Sequence, residues 1–272
     1  MHVYPSMDIL FYRVFFSAGL MASLLLLALP NLRKNNIIKF KNLDASLKKE
    51  TLLKTIYGGV LLACNWFFFI YAMNNISIKA ASYAYLICPI LTTVLAYFIL
   101  KEKLSNQQWL AVFISFLSCI VLAFNHFIDL LYSLIVALSY AFYLITQRNN
   151  NQLDKFFILA LQMIFAAIFL FPFFVAYSSS ATFDTPFYIQ VLLLAIVFTI
   201  LPLWLNLYAL KGVNSSTMGI LLYINPILNF MVAVLVYNET TELMQILGYI
   251  TIFLSIILFN WSRIKSIVYQ KD

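Results

Sequence analysis

The chain has 272 residues, of which 64% are hydrophobic and only 10% charged, with a formal net charge of +7. An ordinary soluble domain carries about 25% charged residues. A chain this apolar cannot cover its surface with polar groups, so most of its solvent must be lipid. The positive charge is read as the cytoplasmic Lys and Arg excess of membrane proteins, not as a nucleic-acid footprint.

Nine apolar stretches are long enough to cross a bilayer: roughly 9–29, 55–73, 81–100, 108–124, 130–147, 156–176, 188–209, 217–237 and 243–261. Spanning helices need about 17–25 residues. The runs are continuous rather than alternating, which argues for helices and against a β-barrel. Before the first stretch, "MHVYPSMD" has no basic region and is too short for a signal peptide, so it reads as a loop between helices.

Arg13, in the first stretch, is the one clearly intramembrane charge. It either snorkels to the headgroups or faces the outer mouth of a cavity, where it would favour anionic or polar substrates. The second stretch carries Asn65 and Trp66, the fifth and sixth carry Tyr140, Tyr143, Gln147 and Gln162, and the seventh carries Asn206. Interhelical hydrogen bonding is the plain alternative for each of these polar groups. Pro89 and Pro226 lie near the middle of the third and eighth stretches, among Tyr83, Tyr85, Cys88, Tyr223, Asn225 and Asn229. Proline frees a backbone carbonyl, which in a membrane must be met inside protein or by cavity water. Both prolines are therefore expected to kink helices that line a cavity, a simple structural kink being the alternative. Ordinary packing is the alternative for each tyrosine.

Charge sets the expected orientation. Segment 31–54 holds Arg33, Lys34, Lys39, Lys41, Lys48, Lys49 and Lys54. Every second loop after it, and the tail with Arg263, Lys265 and Lys271, is also basic. The opposite loops contain Lys79 alone. The 31–54 segment and the C-terminus are thus expected in the cytoplasm and residues 1–8 outside.

A shift of 137 positions aligns the chain with itself from about Ile70 to Val121 without a gap. Tyr71-Ala72 falls on Tyr208-Ala209, Pro89 on Pro226, Glu102 on Glu239 and Gln108 on Gln245. The shift carries the third stretch onto the eighth, a step of five, and an odd step reverses direction. The expected fold class is an all-α polytopic membrane protein, an inverted-repeat helical bundle. Residues 1–124 form the first half, 130–261 the second and 262–272 a basic tail. Such repeats are typical of secondary transporters, with substrate near the midplane. The first half has one helix fewer than the second, so a ten-helix fold lacking its first helix is expected.

Glu102 and Glu239 fall at span ends, and no Asp or Glu lies at mid-membrane, so no carboxylate proton relay is visible. There is no GxxxxGK[ST], HExxH or GxSxG motif and no Cys/His cluster; His2 and His126 are in loops. Cys64, Cys88 and Cys119 lie in apolar runs without metal-ligand spacing and read as reduced packing residues. No catalytic residue, cofactor or metal is expected. An enzyme acting on lipid-linked substrates would need clustered carboxylates or histidines at one membrane face.

"NWFFFIYAMNNISIKAASYAYLICPILTTVLAYFILKEKLSNQQWLAV" and "LPLWLNLYALKGVNSSTMGILLYINPILNFMVAVLVYNE" resemble the two signature regions of RarD-type permeases. These belong to the EamA branch of the drug/metabolite transporter superfamily. "FYRVFFS" is similar to the start of that family's second helix and "ALSYAFYLITQRNN" to its sixth. The resemblance implies ten helices in two inverted halves, the bacterial inner membrane and transport of small metabolites. Tyr12 stands where the family usually has His, and Cys88 where it usually has Asn; Asn225 keeps the Asn.

The expected function is a permease for small organic metabolites or drugs working by alternating access. The alternative is a non-transporting or inactive truncated membrane protein of the same fold. Arg13, Asn65, Trp66, Tyr85, Pro89, Tyr223, Asn225 and Pro226 are the candidates for the substrate cavity. The expected partners are a small-molecule substrate, the bilayer and a second copy of the chain, with no nucleic acid.

Overall fold

A computed structural model describes residues 4–75, 78–122, 127–179, 183–235 and 243–269, and no strand occurs among them. Long apolar runs leave the backbone one way to satisfy its hydrogen bonds in lipid, which is to coil on itself. Each of the nine apolar stretches is mostly helical over its described residues. The first is α1 (Ser6–Ser23), which continues through a π turn, Leu24–Ala28. It is followed by α2 (Pro30–Asn42), α3 (Ala45–Asn75), α4 (Ile78–Leu100), α5 (Asn106–Leu122), α6 (Phe127–Arg148) and α7 (Lys155–Tyr177). The seventh stretch is α8 (Thr185–Ala195), a π turn Ile196–Ile200, then α9 (Leu201–Ala209). The eighth is α10 (Ser215–Leu221) and α11 (Ile224–Leu235), and the ninth is α12 (Leu243–Tyr269). Four helical segments, Ser6–Ala28, Ala45–Asn75, Lys155–Tyr177 and Thr185–Ala209, are individually long and apolar enough to cross a membrane. Segment 31–54, expected as a loop, is helical over most of its length.

The chain folds into two compact units: Met1–Tyr71 with Thr146–Gly212, and Ala72–Ile145 with Val213–Asp272. Each unit draws on both halves of the sequence. In the first unit α1 packs along α7. Asp8 meets Ser179 while Phe11, further along α1, meets Phe174, so the two helices run antiparallel. In the second unit α5 packs along α12. Ser115 Oγ lies 2.7 Å from Ser255 Oγ, and Ser118 Oγ donates to Thr251 Oγ1 at 2.8 Å. Rising position in α5 meets falling position in α12, so this pair is also antiparallel. The same holds for α4 and α10, where Thr93 faces Ser216 and Thr92 faces Gly219. The pairs α4 with α10 and α5 with α12 are those that the 137-residue shift superposes. Corresponding helices pack against one another in opposite directions.

The two proline helices differ. Helix α4 runs unbroken through Pro89. The eighth stretch breaks before its proline. Tight turns occupy the join: Leu222 N donates to Gly219 O, Tyr223 N to Ile220 O and Asn225 N to Leu222 O, at 3.0–3.1 Å. Pro226 then stands in the first turn of α11, where its missing N–H costs no hydrogen bond. The expectation of a mid-helix kink is corrected there: the second copy uses its proline to restart a helix.

Candidate functional site

The candidate residues divide between the units. Arg13, Asn65 and Trp66 belong to the first; Tyr85, Pro89, Tyr223, Asn225 and Pro226 belong to the second. The side chains of Tyr83, Asn229 and Gln245 and all of Glu239 lie outside the described residues.

In the first unit, α1 carries Arg13 so that its Cζ sits 5.2 Å from the centre of the Trp66 ring on α3. A guanidinium over an indole face is a cation–π contact, which lets a charge leave bulk water at reduced cost. The floor beneath is apolar: Leu10, Phe11, Val14, Ala63, Ala166 and Leu170 form a buried cluster, with Trp66 and Phe67 packed on it. Both Arg13 and Asn65 are half-buried.

Further along the first unit lies a polar network only partly foreshadowed by sequence. Gln162 Nε2 donates to Gln147 Oε1 at 2.6 Å, Gln147 Nε2 to Lys54 O at 3.1 Å, and Asn150 Nδ2 to Thr55 Oγ1 at 3.2 Å. Lys155, 1% exposed, donates from Nζ to Gln147 O at 3.2 Å and to Asn150 O at 2.9 Å. These are last-turn carbonyls of α6 and the residues after it, so the ammonium fastens the end of α6 to the start of α7. Arg148 Nη1 donates to Leu210 O, beside Lys211. Gly58 and Gly59 bring α3 close enough to join in: a Cβ on Gly58 would sit 2.5 Å from Gln162 Nε2 and 2.6 Å from Gln147 Nε2. That glycine pair was the available signal for the close approach.

Two carboxylates act as clamps. The Asp8 carboxylate, on a residue 1% exposed, accepts from Ser179 N at 3.2 Å and from Ser179 Oγ at 2.7 Å. Nearby, Tyr4 OH donates to Asp184 Oδ1 at 2.7 Å, and that hydrogen bond raises the phenol pKa. In the second unit Glu102 accepts from Ser215 N at 2.8 Å, Ser216 N at 3.0 Å and Ser216 Oγ at 2.5 Å. It satisfies orphan N–H groups at the start of α10, as a capping side chain does.

The second unit's candidates lie in different settings. Tyr223 is fully buried in a cluster with Leu86, Ala111, Val112, Ile220, Ile252 and Phe259. Its hydroxyl is 3.9 Å from Cys119 Sγ, which also reaches Leu86 O at 3.3 Å. Pro89 and Pro226 are buried, while Tyr85 and Asn225 are exposed. Thr92 and Thr93 Oγ1 donate to Cys88 O and Pro89 O at 2.8 and 2.9 Å, as helical threonines do to the carbonyl four residues back. Cys64, Cys88 and Cys119 are free thiols. Among the described residues no group of His, Cys, Asp and Glu could hold a metal ion.

A family model described as the EamA-like transporter family matches residues 1–124 and again 128–261. The chain belongs to that family. It is a RarD-type permease of the family, a multi-pass helical membrane protein. It is 28% identical to an uncharacterized transporter, YojE, of Bacillus subtilis over 268 residues, covering 96% of this chain and 86% of that one. It is 32% identical to the RarD protein of Escherichia coli over 187 residues, covering 67% and 62%. It is 28% identical to RarD of Salmonella typhi, covering 94% and 85%. A solved crystal structure superposes with a TM-score of 0.68 at 17% identity, covering 96% of this chain and 89% of that one. At that identity the likeness shows the fold alone.

Proposed function

We propose that this EamA-family protein is a secondary permease that moves small organic metabolites or drugs across a bacterial inner membrane by alternating access. Membership of a transporter family, matched once in each half of the chain, carries the reading. The antiparallel pairing of corresponding helices supports it, since inverted repeats give a transporter two related arrangements of one set of contacts. In this reading the halves are residues 1–124 and 130–261, the 31–54 segment and the C-terminus are cytoplasmic, and the substrate-handling candidates are Arg13, Asn65, Trp66, Tyr85, Pro89, Tyr223, Asn225 and Pro226. Arg13 on its indole seat supplies positive charge, which favours anionic or zwitterionic solutes.

The test is uptake into proteoliposomes across a panel of small metabolites. Arg13→Ala and Asn225→Ala are each expected to lower transport of the best solute at least about tenfold, the loss of one charge-assisted contact. Normal transport by both variants would remove the site assignment, and no uptake of any solute would remove the permease reading. A cysteine introduced at Lys48 in a cysteine-free background is expected to label only from the cytoplasmic side.

A further inference from the structure

We propose that α2 is a headgroup-level helix that binds anionic phospholipid. It has 13 residues and begins with Pro30, directly after the break at Leu29 that ends the first span. At 1.5 Å per residue it is about 20 Å long, too short and too polar to cross the bilayer. A hydrogen bond fixes its depth. The Asn36 side chain is buried and accepts from Asp154 N at 2.8 Å. Asp154 is the N-cap of α7, whose span starts at Lys155. Both the end of the first span and the start of α7's span therefore lie beside α2, which places it at the membrane boundary. The next helix agrees. At 31 residues α3 is about 46 Å long against about 30 Å of hydrocarbon, so its opening turns, with Lys48 and Lys49, have headgroup depth to fill.

The composition of α2 specifies the partner. It carries Arg33, Lys34, Lys39 and Lys41 and no acidic residue. Lys34, Ile37, Ile38 and Lys41 share one side at helical spacing, and all four are exposed, the isoleucines by 40% and 46%. Two apolar residues flanked by lysines suit the boundary between acyl chains and headgroups. The isoleucines enter the acyl edge while the lysine stems reach back to phosphate. A basic segment at this depth is attracted to anionic lipid. A water-facing protein or nucleic-acid partner would leave the isoleucines exposed.

The test uses the full-length chain in neutral detergent, titrated separately with phosphatidylglycerol, phosphatidylcholine and inorganic phosphate. Melting temperature and lipid retention in native mass spectrometry are the readouts. Phosphatidylglycerol is expected to raise the melting temperature and to be retained, and the other two to do neither. Lys34→Gln/Lys39→Gln/Lys41→Gln is expected to lower the apparent phosphatidylglycerol affinity at least about tenfold with the lipid-free melting temperature unchanged, while Lys265→Gln retains the response. Should the triple variant fail to fold, Lys34→Gln alone is expected to weaken the affinity two- to threefold. An unchanged response in the folded variant overturns the proposal, as does an equal response to phosphatidylcholine. An equal rise with phosphate alone would show a free-anion site and overturn it too.

Discussion

In the first unit, α1 and α7 are joined by aromatic rings: Phe11, Tyr12 and Phe15 all meet Phe174, with ring centres 5.3–5.8 Å apart. In the second, α5 and α12 are joined by hydroxyls, with Ser115 on Ser255 and Ser118 on Thr251. Both units solve the same problem. Lipid tails are as apolar as leucine, so helices in a membrane are not driven together by escape from water. Edge-to-face rings add roughly 0.5–1.5 kcal/mol per pair through shape and quadrupole. Small hydroxylated residues instead let backbones approach, each hydrogen bond adding only about 0.6 kcal/mol. The first unit should therefore be stiff and intolerant at its contacts, and the second easier to shift.

Glycines give the sharpest way to break that contrast. A Cβ on Gly59 would stand 2.6 Å from Gln162 O and 2.9 Å from Phe165 Cβ, and backbone cannot step aside. Gly59→Val is expected to cost about 3 kcal/mol or more in detergent unfolding. A Cβ on Gly248 in the second unit would meet Leu122 Cγ and Cδ2 at 2.6 Å, the far end of a side chain. Gly248→Ala is expected to cost about 1 kcal/mol, and Leu122→Ala should recover most of it. Equal costs at both glycines, without rescue, would erase the difference between the units.

Next in size is the buried ammonium. Lys155→Met strips the donors from Gln147 O and Asn150 O and should cost about 2–3 kcal/mol, which unfolding in detergent measures. Lys211→Met, at an exposed position, should fall within about 0.5 kcal/mol of the parent. Glu102→Ala in the second unit comes after it, at about 1–2 kcal/mol, because the α10 N–H groups of Ser215 and Ser216 lose their acceptor. Hydrogen exchange should rise at those amides first.

The spans were legible because lipid imposes length and hydropathy on every crossing. The repeat was legible because rare residues marked it: Pro89 over Pro226, Glu102 over Glu239. Three features were not. Helix α2 has too many Asn and Lys residues to show an apolar stripe, and only its place beside α7 explains it. Lys155 lies between the fifth and sixth apolar stretches, where charge ordinarily stays in water; its burial depends on carbonyls supplied by Gln147 and Asn150. The break before Pro226 was hidden by its likeness to Pro89. What separates the two copies is the run of tight turns at Leu222–Asn225, whose bonds are local and carry no apolar signature. Among the candidate residues, the approach of Arg13 to Trp66 was absent from the sequence pattern, since 52 positions separate them.

The smallest expected effect probes the hydroxyl seam itself. Ser115 Oγ contacts Ser255 Oγ, but each hydroxyl also donates or can donate to its own helix, Ser115 to Ala111 O at 3.0 Å and Ser255 to Ile252 O at 2.7 Å. Removing Ser255 leaves Ser115 with an intrahelical acceptor, whereas Ser115 is also a hydrogen-bond partner of the buried Tyr223 hydroxyl. Ser255→Ala should cost only about 0.6 kcal/mol, and Ser115→Ala somewhat more because Tyr223 loses a partner, with the Ser115–Ser255 coupling read from a double-mutant cycle. Phe174→Leu, the counterpart in the first unit, removes ring contacts to three partners on α1 and should cost about 2 kcal/mol. If the serine pair proved as costly as the ring, polar bonding rather than close approach would be what holds α5 to α12.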